Sequence, residues 1–287
     1  MKNVAYYNGK FSAIEEMMVP ITDRAVYFGD GVYDVVYIIN GVPFALEDHL
    51  DRFYNSCRLL EISFPYSRQE LTAVFAEMIS RLDDPDGAVL YWQTSRGSAY
   101  RAHVYPGSDV KPNLLAFIST KKMSDLKKPI SVITLPDNRY QLCNIKTINL
   151  IPNVMACEKA KREGKDEAVY IRDGYVTEAA HCNCSILKNG VLKTAPLDWK
   201  ILPGISRKHL LELARELHIP VSEEPFTYEE MLDADEILIS ATTILFHMVS
   251  ECDGKPVGGR DPQTADRLRQ AYLARIEKEC GRRPAMA

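Results

Sequence analysis

The chain has 287 residues, of which 46% are hydrophobic and 26% are charged, and its formal net charge at pH 7 is −4. This composition is typical of a globular protein with a sizeable core, in one large or two medium domains. The lack of a basic excess argues against nucleic acid or an anionic membrane as a partner. The first residues contain no long apolar run, and no segment reaches the length of a membrane span. We therefore expect a cytoplasmic protein.

Hairpins and helices are predicted for the first part of the chain. Asn8-Gly9 and Asn40-Gly41 are type I′ turn signals, each between two short apolar runs. Apolar residues at helical spacing follow, and Ser67 with Glu70 forms a capping-box signature before a second helix. The predicted elements are strands 4–7, 10–12, 32–39 and 42–45, helices that begin near residues 46 and 68, and strands 88–94 and 113–118.

A polar and charged stretch, 121–129, ends in proline and is predicted to link two domains, 1–120 and 130–287. Beyond it, Asp173-Gly174 and Asn189-Gly190 each indicate a hairpin. The predicted elements are strand 130–135, helix 152–161, strands 167–172, 175–178, 184–188 and 191–194, helix 206–218, strand 236–240 and helix 262–279. Strands and helices mix without a regular βαβ rhythm, and hairpins dominate, so the fold class is predicted to be α+β.

Seven cysteines are spread along the chain without a Cys-x-x-Cys pair. Free thiols are the default for such a pattern. The run His181-Cys182-Asn183-Cys184 fits no paired zinc-knuckle spacing, and alternation along a strand places Cys182 and Cys184 on one face as small buried side chains. We therefore predict no metal site.

Lys146 is the first candidate for catalysis. It lies among Ile145, Ile148, Leu150 and Ile151, in a run that contains no acidic residue. Burial among apolar side chains favours a neutral amine, which is the nucleophile that Schiff-base chemistry requires. A lysine at a strand end that reaches water past its apolar neighbours is the alternative interpretation. The segment alone leaves both open.

Three later features have a functional and an ordinary interpretation. Glu178 is either a cofactor ligand or an exposed carboxylate at the end of a strand. Pro203-Gly204 opens a helix whose first turn carries Ser206, and backbone N–H groups at a helix start suit a phosphate. An ordinary N-cap at Ser206 is the alternative. Thr242-Thr243, after a strand, is a second candidate for contact with phosphate.

Two pairs of basic residues in the predicted N-terminal domain also have two possible interpretations each. His49 and Arg52 are three apart on one helix face, which is also the pattern of a solvated surface. Arg101 and His103 lie in the polar loop 96–111. A guanidinium offers a planar fork of donors to a carboxylate and an imidazole adds a hydrogen bond. Incidental charges in a polar loop are the alternative.

Together, these residues describe one cofactor. A lysine that forms a Schiff base, a carboxylate that keeps a pyridine nitrogen protonated, and two phosphate anchors are what pyridoxal phosphate requires. The order of the motifs resembles the class IV, or fold-type IV, pyridoxal-phosphate-dependent aminotransferases, over essentially the whole chain from about Tyr6. The motifs that carry the resemblance are Arg52, Lys146, Val176-Thr-Glu178, Leu202-Pro-Gly-Ile-Ser206 and Ala241-Thr-Thr243.

Within this family the chain is most similar to the D-amino-acid aminotransferases, also called D-alanine aminotransferases. Asp23-Arg24 followed by Phe28-Gly-Asp-Gly-Val-Tyr33 resembles their N-terminal signature, and Arg101-x-His103 resembles their carboxylate trap. The resemblance implies two domains, a smaller N-terminal α/β domain and a larger C-terminal cofactor-binding domain with a hairpin-rich sheet.

The resemblance also implies a role for each matching residue. Lys146 forms the Schiff base with the cofactor and then moves a proton between the substrate Cα and the cofactor C4′, while Glu178 pairs with the pyridine nitrogen. The other implied roles are phosphate contacts for Arg52, Ile205, Ser206 and Thr242, packing under the ring for Leu202, binding of the substrate α-carboxylate for Tyr33, Arg101 and His103, and support near the cofactor for His49 and Arg139. Because the Arg-x-His loop of the family reaches the neighbouring subunit, a homodimer with a shared active site is implied.

The implied reaction moves an amino group between a D-amino acid, such as D-alanine, and a 2-oxo acid, such as 2-oxoglutarate. It follows a ping-pong cycle through pyridoxamine phosphate. The alternatives are an L-branched-chain aminotransferase, an aminodeoxychorismate lyase and an (R)-amine transaminase, and Arg101-x-His103 argues against the first. Ala179-Ala180-His181 stands where the family usually has small or hydroxyl residues after the glutamate, and Ala241 replaces a hydroxyl residue often seen before the two threonines. These positions leave the local phosphate contacts and the substrate range open.

Overall fold

A computed structural model describes residues 1–285 of the chain. The end of the predicted C-terminal domain, 286–287, lies outside the described residues. Contacts divide the described chain into unit 1, made of Met1–Lys122, Ile145–Asn149 and Lys278–Ala285, and unit 2, made of Met123–Asn144 and Leu150–Glu277. The division after Lys122 falls inside the predicted linker, whereas the segment that carries Lys146 groups with the N-terminal residues.

Unit 1 is built around one sheet of six strands. Its elements are β1 (Val4–Tyr7), β2 (Lys10–Ser12), α1 (Arg24–Phe28), β3 (Gly31–Ile39), β4 (Val42–Pro43), α2 (Leu46–Leu59), α3 (Arg68–Ser80), β5 (Ala88–Ser95) and β6 (Asn113–Thr120). The strands follow the order β2-β1-β6-β5-β3-β4, and neighbouring strands are antiparallel. Hairpin connections of this kind explain why the predicted Asn-Gly turns locate the strands correctly.

The helices of unit 1 cover an aromatic core. The capping box predicted at Ser67 and Glu70 is present at the start of α3. Phe53 of α2 and Phe75 of α3 both contact the fully buried Trp92 of β5, with ring centroids 5.8 and 4.8 Å apart. Aromatic side chains of this size supply much of the apolar area buried in a core. The two helices are therefore held against the sheet that also carries Tyr33 and Asp34.

Unit 2 contains a second, larger sheet. Its elements are β7 (Ile130–Pro136), α4 (Ile151–Arg162), β8 (Glu167–Arg172), β9 (Tyr175–Ala179), β10 (Asn183–Lys188), β11 (Val191–Thr194), α5 (Ile205–Glu216), β12 (Val221–Ser222), α6 (Tyr228–Leu232), β13 (Glu236–Ala241), β14 (Leu245–Cys252), β15 (Lys255–Pro256) and the start of α7 (Pro262–Cys280). The strand order is β12-β11-β10-β13-β14-β7-β8-β9, with β15 paired to β14. Parallel pairs join β7 to both β14 and β8, and β11 to β12.

The mixture of sheets and helices confirms the predicted α+β class. Hairpins join β8 to β9, β10 to β11 and β13 to β14. A core cluster of unit 2 gathers side chains from several strands of this sheet and from α6, and includes Val169, Phe226 and Ile239. Among residues 1–285, no helix combines the length and the apolar character that crossing a membrane requires.

Candidate active site

Lys146 is fixed against strand β3 of unit 1. Its carbonyl oxygen accepts a hydrogen bond from the backbone N–H of Tyr33 at 2.9 Å, and its own N–H donates to Ser56 Oγ at 3.3 Å. The amine Nζ lies 4.3 Å from the centroid of the Tyr33 ring. A half-buried amine over an aromatic face is partly desolvated and held in one place. The lysine is therefore not a freely solvated surface residue.

A glycine allows this segment to approach the sheet. Ile148 donates its backbone N–H to the carbonyl of Gly31 at 3.2 Å. A Cβ atom at Gly31 would overlap with the carbonyl oxygen of Thr94 on the neighbouring strand. Only glycine fits where the strand is pressed between two backbones. The close packing of β3 thus depends on Gly31, which belongs to the Phe28–Tyr33 signature.

Arg52 and His49 form a buried cluster with Asp34 of β3. Arg52 donates to both Asp34 oxygens, from Nε at 2.9 Å and from Nη2 at 2.7 Å, and His49 Nδ1 lies 2.8 Å from Oδ1. All three side chains are buried, which excludes the solvated-surface interpretation of His49 and Arg52. Bidentate arginine–carboxylate pairs are among the strong charge-assisted hydrogen bonds. The guanidinium is consequently held in a fixed orientation.

Burial and neighbouring charges determine the protonation states of Asp34 and His49. Burial would raise the pKa of Asp34, but the charge of Arg52 and the hydrogen bonds with His49 and Arg52 outweigh burial and lower it far below its usual range. Burial lowers the pKa of His49, and the positive charges of Arg52 and Lys146 act in the same direction, against Asp34. The carboxylate is therefore ionised and the imidazole favours its neutral form at neutral pH. The sequence interpretation missed Asp34, although it is the one acidic residue in an otherwise apolar strand.

Glu178 lies at the buried end of strand β9 in unit 2. Its Oε1 accepts a hydrogen bond from Arg139, and its Oε2 accepts from Asn183 Nδ2 at 2.9 Å and from the Leu202 backbone N–H at 3.1 Å. The side chain is only 5% exposed, so the interpretation as an exposed strand-end carboxylate is wrong. Burial raises the pKa of Glu178 to about 7 in spite of Arg139. A further cationic group beside this carboxylate would stabilise its charged form.

Arg139 is shared between Glu178 and a second carboxylate, Asp137. Arg139 donates from Nε to Asp137 Oδ1 and from Nη2 to Oδ2, both at 2.9 Å. The Thr177 hydroxyl donates to Asp137 Oδ2 at 3.0 Å. Burial would raise the pKa of Asp137, but the hydrogen bonds and charge of Arg139 prevail and lower it to about 2. Asp137 therefore stays ionised and holds Arg139 in hydrogen-bond contact with Glu178, a positioning role that the sequence interpretation did not identify.

The start of helix α5 is tied to Glu178 through Asn183. The amide of Asn183 donates to the Leu202 carbonyl at 2.9 Å as well as to Glu178, and a Cβ atom on Gly204 would overlap with Asn183 Oδ1. Helix α5 begins at Ile205 with Gly204 as its N-cap, and no side chain caps it. The interpretation of Ser206 as an ordinary N-cap is therefore wrong. Uncapped N–H groups at a helix start favour an anion such as a phosphate.

The remaining predicted residues lie in less regular segments. Thr242 is half-buried in the turn between β13 and β14. Arg101 and His103 are exposed, and both lie against the Phe28 ring, with the Arg101 Cζ 5.0 Å and the His103 ring centroid 5.1 Å from its centroid. Tyr33 instead stacks on Tyr91, with ring centroids 5.4 Å apart. The structure thus places Arg101 and His103 at the same aromatic ring, and Tyr33 beside Lys146.

The loop that carries Arg101 and His103 is anchored from within unit 1. Arg24 Nη1 donates to the Ala102 carbonyl at 2.9 Å, and its Cζ lies 4.8 Å from the centroid of Phe28. Arg96 lies over the ring of Tyr105, at 3.7 Å from its centroid. These contacts hold an exposed loop in a defined conformation.

Comparison with known proteins identifies the family. Residues 31–252 match the family model described as Amino-transferase class IV. The chain belongs to this family. It is 37% identical over 258 residues to the D-alanine aminotransferase of Bacillus licheniformis, a match that covers 89% of this chain and 90% of that one. The resemblance inferred from the motifs is thereby confirmed.

Solved structures confirm the fold of this class IV aminotransferase. The branched-chain aminotransferase of the thermophilic archaeon Thermoproteus uzoniensis, solved with norvaline, has a TM-score of 0.85 at 24% identity, covering 96% of this chain and 95% of that chain. A protein of Legionella pneumophila described as a 4-amino-4-deoxychorismate lyase has a TM-score of 0.83 at 23% identity, covering 91% and 98%. The predicted fold-type IV architecture is therefore correct.

The class IV aminotransferase is a pyridoxal-phosphate-dependent enzyme, as predicted. Its residues fit that cofactor chemically. A buried carboxylate whose pKa is raised by burial suits a protonated pyridine nitrogen, and a helix start with no side-chain cap suits a phosphate. A half-buried amine held over an aromatic ring suits covalent attachment of an aldehyde.

Proposed function

We propose that the protein transfers the amino group of a D-amino acid, such as D-alanine, to a 2-oxo acid, such as 2-oxoglutarate. The observation that carries this proposal is the anchored loop in which Arg101 and His103 both pack against the ring of Phe28. A guanidinium and an imidazole held together suit one carboxylate. The identity of 37% to a D-alanine aminotransferase over most of both chains supports the same substrate class.

Pyridoxal phosphate supplies an aldehyde that takes up the amino group and a cationic ring that accepts the electron pair left at the substrate Cα. In our proposal, Lys146 Nζ holds the aldehyde before substrate arrives and then moves a proton at the substrate Cα. The Tyr33 ring, 4.3 Å from Nζ, limits where the amine can reach. A general base fixed in this way is efficient because it loses little freedom when it reacts.

Glu178 is proposed to hold the proton on the pyridine nitrogen. Its hydrogen bonds from Arg139, Asn183 and the Leu202 N–H aim the carboxylate and keep it from rotating. Leu202 packs under the ring in this proposal, with Ile205, Ser206, Thr242 and Arg52 on the phosphate. His49 supports Arg52 through Asp34, and Arg139 supports Glu178.

We further propose that the protein acts as a homodimer in which Arg101 and His103 serve the active site of a second copy. Both side chains are exposed on the chain although Arg24 and Arg96 hold their loop in a defined conformation. Tyr33 binds the same substrate carboxylate in this proposal. A solution mass of twice the chain mass would agree with the dimer, and a monomeric active enzyme would contradict it.

A panel of D- and L-amino acids tests the substrate class. With 2-oxoglutarate as acceptor, we expect D-alanine to be converted to pyruvate and L-leucine to react far more slowly, because the carboxylate trap selects the orientation at Cα. Conversion of L-leucine but not D-alanine would select a branched-chain aminotransferase instead. Pyruvate released from aminodeoxychorismate without any amino acceptor would select a lyase.

Replacement of Arg101 by alanine is expected to raise KM for D-alanine by about 10- to 100-fold, the scale of one charge-assisted hydrogen bond. Affinity for pyridoxal phosphate should stay unchanged, since this residue is assigned to the substrate. Steady-state kinetics and a cofactor titration measure the two effects separately. Tyr100→Ala is the matched control, because its neighbouring side chain is 91% exposed. Equal loss of substrate and cofactor affinity in Arg101→Ala would mean that the loop is structural.

A further inference from the structure

Three potential metal ligands meet in unit 2 from three separate elements. Cys157 lies on α4, Glu167 begins β8, and His181 lies in the turn between β9 and β10. One ligand atom of each residue lies within 4.8 Å of the other two. His181 Nδ1 is 2.7 Å from Glu167 Oε2 and 3.7 Å from Cys157 Sγ. The family departure at His181 thus places an imidazole beside a thiol and a carboxylate.

The carboxylate of this cluster is rigidly held. Glu167 is only 3% exposed and its strand β8 pairs with β7 through Val132. Its Oε1 accepts the backbone N–H of Ala168 at 2.8 Å, and its Oε2 accepts from Cys182 Sγ at 3.4 Å. Buried carboxylates are costly unless they are paired or bind a cation. The oxygen that faces His181 is therefore aimed by contacts on both sides of the carboxylate.

The ligand types of this cluster match zinc. Thiolate, imidazole and carboxylate are the ligands that Zn²⁺ takes in proteins, at about 2.3 Å for sulfur and about 2.0–2.1 Å for nitrogen and oxygen. Tetrahedral angles then separate ligand atoms by about 3.3–3.6 Å. The separation of 3.7 Å between His181 Nδ1 and Cys157 Sγ lies close to these values. The 2.7 Å between His181 Nδ1 and Glu167 Oε2 is the distance of a direct hydrogen bond, so these two atoms would have to move apart by about 0.6 Å to share an ion. One thiolate and one carboxylate also balance the charge of a divalent ion.

We propose that Cys157, Glu167 and His181 bind one Zn²⁺ ion, with water in the fourth position and the Cys182 thiol supporting Glu167. The ion joins α4, β8 and the turn that follows Glu178, and so stabilises the end of β9. This proposal replaces our expectation of no metal site. The spacing of the cysteines could not indicate it, because Cys157 and Glu167 come from separate elements.

Metal analysis of the holoenzyme tests the proposal. After treatment with a chelator and dialysis against Zn²⁺, we expect one zinc per chain and a higher melting temperature than in the chelated protein. Co²⁺ in place of Zn²⁺ should give the visible bands of a tetrahedral site, which lie at longer wavelength than cofactor absorption. His181→Ala and Cys157→Ser should weaken zinc binding by about 100-fold or more, beyond the 10- to 100-fold typical for outer contacts of a metal site.

Cys143→Ser is the matched control, because Cys143 is another half-buried free thiol of unit 2. It should retain wild-type zinc content. His181 is exposed, so its replacement should leave the fold intact, and circular dichroism checks this. Zinc content equal to that of wild type in both His181→Ala and Cys157→Ser would overturn the proposal. So would substoichiometric zinc in the wild-type holoenzyme after dialysis.

Discussion

Replacement of Lys146 by alanine is expected to lower the turnover of D-alanine by at least about 10⁴-fold, on the scale seen when enzymes lose a nucleophile. Alanine offers neither an amine for the cofactor aldehyde nor a group that can move a proton at Cα. The variant should also lose the yellow colour that borohydride bleaches in the wild-type protein. Steady-state turnover and absorption spectra measure the two effects. The fold should persist, since Lys146 is anchored by its backbone at Tyr33 and Ser56.

Lys165→Ala is the matched control for this variant. Lys165 is also a half-buried lysine, and its amine is paired with Glu251 rather than with an aromatic ring. We expect it to keep its colour and its turnover. Wild-type turnover in Lys146→Ala would show that another residue carries the cofactor, and our account of the site would then be wrong.

Replacement of Glu178 by glutamine is expected to lower turnover by about 10²- to 10³-fold, the scale for loss of one preorganised electrostatic contact. A neutral amide no longer stabilises a proton on the pyridine nitrogen, so the ring becomes a weaker acceptor of electrons. The amide N–H₂ also faces donors from Arg139, Asn183 and Leu202, which costs stability. Turnover per cofactor-loaded chain therefore has to be measured together with thermal unfolding.

Glu236→Gln is the control that separates a loss of turnover from a loss of stability. Glu236 is a fully buried glutamate of unit 2 that accepts backbone N–H groups from Gly259 and Asp261. Its replacement should destabilise the fold to a similar degree but leave turnover per folded chain unchanged. Glu178→Asp keeps the charge on a shorter side chain and should retain more turnover than Glu178→Gln. Equal turnover in Glu178→Gln and Glu236→Gln would exclude the proposed role of Glu178.

The parts of the fold that could be predicted are those with a signal in the local sequence. Asn-Gly and Asp-Gly turns and capping boxes act over a few residues, so the hairpins and the start of α3 were located within one or two positions. Helix α1 was missed because it has only five residues. Strand β14 was missed as well, because the turn that joins it to β13, 242–244, contains no glycine or asparagine. Its parallel pairing with β7, far away in the sequence, was not predicted either. Parallel pairing depends on contacts that no local pattern reveals.

In the candidate site, too, residues with a local sequence signal were predicted and residues that depend on distant contacts were not. The sequence indicated Lys146, Glu178 and the start of α5, because a lysine, a carboxylate and a Pro-Gly turn have their own chemistry. Apart from Arg139 and His49, the residues that orient them were not found. Asp137 acts through Arg139, and Asn183 links Glu178 to the start of α5. Each of these positions becomes meaningful only when the fold brings its partner within hydrogen-bond distance.

A single half-reaction with D-alanine tests the proposed D-amino-acid transamination. Holoenzyme is mixed with D-alanine without any 2-oxo acid, and pyruvate and the cofactor spectrum are followed together. We predict one pyruvate per chain, complete conversion of the cofactor to its amine form, and recovery of the original spectrum when 2-oxoglutarate is added. L-Leucine should leave the spectrum unchanged on the same timescale. Conversion with L-leucine alone, or no spectral change with D-alanine, would contradict the proposed D-amino-acid transamination.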